Sequence, residues 1–215
     1  MRISGGVPRC PRAVGRTMNA HDLGGLDAAD PADRASALAS LVIAGRASTP
    51  VFLRGLASPD ADVREKSAQG LAEIADPAAA EALADALADA EPRVRGRAAQ
   101  ALASIGDPRS LDALVRTIDD YPDVLHAPHT VATYVLIARG RDVLTSVVPL
   151  LDAPHALTRQ RAYIVLQTLV SAMPEAGDWR TLWQSLGAYD PDGTDLAARA
   201  AAAAQWRQWI SVHCP

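Results

Sequence analysis

The 215-residue sequence predicts an all-α fold of stacked helix pairs, an α-solenoid, and three observations carry that prediction. A fifteen-residue stretch recurs 31 positions further along the chain. Alanine, the strongest helix former and a poor strand former, fills about a fifth of the sequence. Aromatic residues make up only 4%, so the core is expected to be close-packed helices bearing small and aliphatic side chains.

The recurrence is strong. Residues 63–77 read VREKSAQGLAEIADP and residues 94–108 read VRGRAAQALASIGDP, with nine identities in fifteen positions. Within the first copy Val63, Ser67, Gly70, Leu71 and Ile74 fall on one helical face, as do Val94, Ala98, Ala101, Leu102 and Ile105 in the second. An offset of 33 predicts a third copy at Ala127, Val131, Tyr134, Val135 and Ala138; a further 31 gives Thr158, Ala162, Val165, Leu166 and Leu169. A shorter stripe precedes each: Thr49, Phe52, Leu53 and Leu56; Ala80, Leu83, Ala84 and Leu87; Leu111, Leu114, Val115 and Ile118; Leu144, Val147, Val148 and Leu151. Each unit is thus expected to be two antiparallel helices. Asp76-Pro77, Asp107-Pro108 and Gly140-Arg141 form the junctions, because proline suits a first helical turn and drives the residue before it out of the α region. One pair cannot bury its own stripe, so the units must stack into a continuous core.

The ends differ from the array. Residues 1–17 are basic and carry Gly and Pro without apolar periodicity, so they are expected to be a disordered tail, with Met1 and Met18 both candidate starts. No apolar h-region follows their four arginines, so a cytoplasmic protein with reduced Cys10 and Cys214 is expected. All four tryptophans, Trp179, Trp183, Trp206 and Trp209, lie in the last 37 residues. Their spacing continues the helical stripe and predicts a fifth pair that caps the array. The resulting division is a tail at 1–17, a repeat array at 18–171 and a Trp-rich capping pair at 172–215.

The motif running from Asp60 to Pro77 and from Glu91 to Pro108, D-x-x-V-R-x-x-A-x-x-A-L-x-x-I-x-D-P, resembles HEAT repeats, especially the short bacterial type of bilin-lyase-like proteins. Residues 109–171 carry the resemblance weakly and residues 31–46 resemble a decayed first copy. It implies the solenoid fold. Its functional content is broad, spanning scaffolds, adaptors, lyase subunits and some enzymes.

The exposed positions suggest a site. Arg64, Lys66, Arg95, Arg97, Arg159 and Arg161 occupy first helical turns, where a cation opposes the helix macrodipole at roughly 0.3–1 kcal/mol each. Pairing of Arg64 and Arg95 with Asp60, Asp62, Asp89 or Glu91 at the junctions would offset that, as HEAT repeats commonly do. Lys66, Arg97 and Arg161 are instead expected to line one ridge of the inner, concave helices, with Gln69, Gln100 and Thr133 beside them. With His129 of the irregular third repeat, they form the candidate surface for another protein or peptide of acidic character.

Other function classes find less support. His126, His129 and His155 near Asp119, Asp120 and Asp123 could ligate a metal, but Pro128 breaks the first turn between them, and no metal or other cofactor is expected. The stretch Asp190–Asp195 lacks the spacing and closing Glu of an EF-hand and reads as a turn with an N-cap. A bilin-lyase-like enzyme would hold a small ligand among Tyr134, Tyr163, Trp179 and Trp183. A nucleic-acid binder would need a denser basic groove than a chain of net charge −4 supplies. No nucleophile–base pair or phosphate loop is present, and no apolar run approaches the roughly 20 residues that span a bilayer. The sequence therefore favours a non-catalytic scaffold or adaptor of unspecified oligomeric state.

Overall fold

A computed structural model describes residues 22–120 and 129–214. The predicted tail at 1–17, the alternative start at Met18, Cys10, Asp123 and His126 lie outside the described residues.

Asp30 opens the first helix, α1 (Pro31–Ile43), by accepting a hydrogen bond from the Ala32 amide, and Pro31 fits its first turn. The helix pairs follow. They are α2 (Thr49–Leu56) with α3 (Ala61–Ile74), α4 (Ala80–Ala86) with α5 (Pro92–Ile105), and α6 (Ser110–Arg116) with α7 (Val131–Arg139). Next come α8 (Leu144–Val147) with α9 (Ala156–Ser171), then α10 (Trp179–Ser185) with α11 (Leu196–His213). No strand occurs among the described residues. The fold is an α-solenoid. Several first helices begin with a 3₁₀ turn, as at Pro77–Ala79 and Arg141–Val143, where the junction residues sit.

Leu71, Leu102, Leu136 and Leu166 are all fully buried and define one register along the stack. The step from the second to the third is 34 residues rather than 33, so the expected third copy is one position out. Ala132 and Leu136 are buried, whereas Val135 is half-buried and Tyr134 is 62% exposed. The extra residue rotates a helix by about 100°, which turns Tyr134 from the core to solvent.

Two buried clusters meet at α5. Ala98, Ala101 and Leu102 pack towards the N-terminal cluster that includes Phe52, Val63, Leu71 and Leu83, while Ala99 belongs to the cluster that runs on to Trp206 and Ile210. Small residues make the close approaches. A Cβ on Gly70 would lie 2.3 Å from the Phe52 ring, and one on Gly55 would lie 2.0 Å from the Ser67 hydroxyl oxygen. At the C-terminal end Trp206 is fully buried and stacks on Trp179 with ring centres 5.5 Å apart. Nearby, the Trp183 indole N–H donates to the Tyr189 carbonyl, and the Tyr189 hydroxyl donates to the Leu151 carbonyl at 2.6 Å. Burial pushes that phenol up to about 12. Asp195 caps α11 by accepting from the Ala197 and Ala198 amides.

Candidate functional site

An arginine is the fourth residue of α1, α3, α5, α9 and α11. Its geometry repeats. The Arg64 Nη1 donates to the carbonyls of Ser58 and Pro59, Arg95 to those of Asp89 and Ala90, and Arg159 to those of Ala153 and Pro154. Each guanidinium thus folds back over the loop that leads into its own helix. Its other edge crosses to the next loop. Arg64 Nε and Nη2 grip the Asp89 carboxylate at 2.6 and 2.9 Å, and Arg95 grips Asp120 at 2.8 and 2.7 Å in the same fork. Arg159 reaches the Pro191 carbonyl instead. The expected pairing thus holds for Arg64 with Asp89, whereas Arg95 takes Asp120 rather than one of the named acids, and Asp62 lies against Arg34 and Arg93.

This ladder explains how cations are tolerated in first turns, and it is structural. Hydrogen bonds to charged groups contribute about 1.5–3 kcal/mol, so Arg95→Ala is expected to lower stability by about 1–3 kcal/mol in denaturant unfolding. The Arg64 guanidinium also holds the Asp89 carboxyl below the ordinary carboxylate range. Because the folded value is the lower one, that stabilisation is complete above the unfolded pKa of about 3.9 and disappears as pH falls through the folded value. Arg64→Gln should therefore flatten part of the acid limb of a stability–pH curve.

In the register set by the buried leucines, His129 stands where Arg95 and Arg159 stand, and its ring lies 5.0 Å from that of Tyr134. The helix α7 begins at Val131, the counterpart of Arg97. Around this point the expected ridge breaks. Arg161 is fully buried, with its Nη1 donating to the Ile118 carbonyl, which the Thr130 hydroxyl also reaches. Thr133 is fully buried too, its amide bound by the Thr130 hydroxyl and its own hydroxyl donating to the Thr130 carbonyl. Neither residue is on a surface. Arg161 ties α9 to the end of the α6 segment, the Thr130 hydroxyl ties the start of α7 to the same carbonyl, and Thr133 closes the first turn of α7 on Thr130; this corrects the placement of Arg161 and Thr133 on an exposed ridge.

The other members do share a face. Lys66 and Gln69 on α3 and Arg97 and Gln100 on α5 hold matching positions and are half-exposed, whereas His129 is half-buried at the Arg95 position and meets the face only through its contact with Tyr134. Arg97 donates to the Gln100 side chain and lies 3.8 Å from Glu65, while Arg93 pairs with Asp62 and Glu65. Lys66 and Arg139 form no ion pair with any described residue. The position shared by Gln69 and Gln100 becomes Tyr134 on α7 and Ile164 on α9. The face thus passes from polar and cationic on α3 and α5 to the exposed Tyr134 and the half-buried Ile164. Tyr134 is the contributor that its sequence register hid.

The four aromatic residues considered for a ligand pocket do not converge. Tyr163 touches Trp179 with ring centres 6.2 Å apart, whereas Tyr134 lies outside that cluster against His129. A cavity of about 220 Å³ beside Gly96 and Val131 and one of about 390 Å³ beside Gln100 and Arg139 both straddle α5 and α7. Among the described residues no group of three or more His, Cys, Asp or Glu could hold a metal ion, and no helix is long and apolar enough to cross a membrane.

A family profile described as HEAT repeats matches residues 49–128. No curated protein matches the sequence. Among solved structures, a crystal structure of an engineered protein is 19% identical, covers 88% of this chain and 95% of its own, and superposes with a TM-score of 0.40.

Proposed function

Taking as the premise that residues 49–128 are HEAT repeats, we propose that the protein is a non-catalytic interaction scaffold that binds an acidic segment of another protein. The docking face is the one formed by α3, α5 and α7. HEAT repeats are generally protein-interaction scaffolds, and that prior fits a chain whose junction arginines are consumed by stacking. The observation that carries the reading is the exposed Tyr134 on α7, at the register position of Gln69 and Gln100, together with Lys66 and Arg139, which form no ion pair with a described residue. Tyrosine and arginine are the residue types that dominate interface energetics, and exposed cations steer an acidic partner into place. Within a chain of net charge −4, a locally cationic face is selective rather than a consequence of bulk charge.

The test is a fluorescein-labelled peptide selected against the full chain from a displayed random library. Selected sequences should be rich in Asp and Glu. Binding should weaken at least ten-fold when Lys66→Glu and Arg97→Glu are combined, because like charges then face each other across the contact. It should also weaken between low and physiological ionic strength. The helical CD spectrum should stay constant and the melting temperature should fall only slightly, because Arg97 gives up its bond to Gln100 and its contact with Glu65 while surface substitutions typically change stability within about ±0.5 kcal/mol. Neutral or basic consensus peptides, or binding indifferent to the double reversal, would remove the basis for this reading.

A further inference from the structure

We propose that the cleft between α5, α7, the loop at 106–109 and the start of α6 is a carboxylate-binding site that receives an Asp or Glu side chain of the partner segment. The inference rests on the docking face proposed above and assigns its anchoring contact.

The argument begins with a break in the repeat. Ile74, Ile105 and Leu169 occupy one position of the register near the ends of α3, α5 and α9, and α7 places Arg139 there. An aliphatic position has become a cation. The Arg139 side chain does not recover an acid in exchange: its Nη1 donates to the Ser110 hydroxyl oxygen at 3.0 Å, and it pairs with no described carboxylate. That hydrogen bond tethers Nη1 of an exposed side chain and leaves Nε and Nη2 for a ligand. A planar, pre-oriented guanidinium is the side chain best matched to a carboxylate, because two parallel N–H donors meet two oxygens.

The surroundings suit the same chemistry. The cleft holds about 390 Å³, with Gln100 and Ser104 of α5 supplying polar groups on the wall opposite Arg139 and with Val135 and Ala138 supplying an apolar wall. One acid lines it, and that acid is occupied. Both Asp107 oxygens accept from Arg109, whose Nε and Nη2 lie 2.9 and 2.8 Å away, and the Arg109 amide adds a third bond. Those bonds hold the Asp107 carboxyl down at about 2, so it stays an ion satisfied by its own arginine. Arg109 also pairs with Glu81, outside the cleft lining, so Arg139 is the one cation lining the cleft that no described carboxylate engages. A protein-borne acid is the committed source, since Gln100 also belongs to the docking face and places the cleft beside it.

The experiment is a titration of the full ¹⁵N-labelled chain, followed by NMR at the Arg139 Nε–H and the Gln100 side-chain amide. The probes are N-acetyl-Glu-Leu-amide, N-acetyl-Gln-Leu-amide and sodium acetate. The Glu peptide is expected to shift both signals and to bind at least ten-fold more tightly than the Gln peptide. Arg139→Gln should abolish the response at Gln100 with the melting temperature unchanged, and Arg139→Lys should restore only part of it, because the ammonium lacks the fork. If Arg139→Gln perturbs the fold, Gln100→Leu read at the Arg139 Nε–H serves as the second variant and should weaken the Glu peptide. Equal shifts from the Glu and Gln peptides, or none at Arg139, would overturn the assignment. Acetate binding as tightly as the Glu peptide would overturn a peptide source. Loss of this response while library-selected peptides remain sensitive to the Lys66 and Arg97 reversal would reject the cleft and leave the docking face standing.

Discussion

Leu102→Ala is expected to lower the unfolding free energy by about 2–5 kcal/mol, the range for truncating a fully buried leucine. Leu102 is fully buried on α5, the helix where the two buried clusters meet. The loss combines the transfer free energy of the deleted methyl groups with the cavity they leave. Its neighbours Ala98, Ala99 and Ala101 are already small, so they cannot swing in to fill the space. The cavity term should therefore be large. At about 2–4 °C per kcal/mol for a chain of this size, thermal melting reads the effect directly. Leu71→Ala tests the same register position one repeat earlier. Melting curves that match wild type for both variants would mean that this leucine position does not support the stack.

Gly70→Ala should destabilise by about 1–3 kcal/mol, the usual cost of overpacking, even though alanine is the better helix former by about 1 kcal/mol. The added Cβ would sit 2.3 Å from Phe52 Cζ and 2.4 Å from Cε1. The Phe52 ring is fully buried, so α2 and α3 must separate to admit the methyl. Gly96→Ala supplies the contrast. Its Cβ would meet only Val131, at 3.8 Å, so helix propensity should prevail and the variant should be neutral or slightly more stable. Chemical denaturation of the two variants side by side decides whether the close approach at Gly70 or intrinsic propensity governs this helix.

Much of the fold was legible from composition and repetition. The recurrence at residues 63–77 and 94–108 locates α3 and α5, because an amphipathic helix needs its apolar residues at fixed spacing whatever surrounds it. Asp76-Pro77 and Gly140-Arg141 open 3₁₀ turns for the same local reason, while Asp107-Pro108 forms a plain turn before α6. The candidate site was only partly legible. Lys66, Gln69, Arg97 and Gln100 share a half-exposed face because their helices share a register. Arg161 occupies the equivalent position on α9 and is buried, and Thr133 is spent on holding the start of α7.

The sequence by itself determined the helical class, the pairing of a short helix with a longer one, the buried leucine position and the arginine that opens each long helix. These depend on short-range periodicity and on what a helix end requires. Only the tertiary structure decided how the third repeat is phased, which acid each arginine grips, and which cations remain without a carboxylate. A one-residue change in spacing turns a helix by about 100° and exchanges core for surface, as it does for Tyr134 and Leu136. The partner of a long, flexible arginine is likewise set by the loop that stacking brings beside it, 25 residues away for both Arg64 and Arg95.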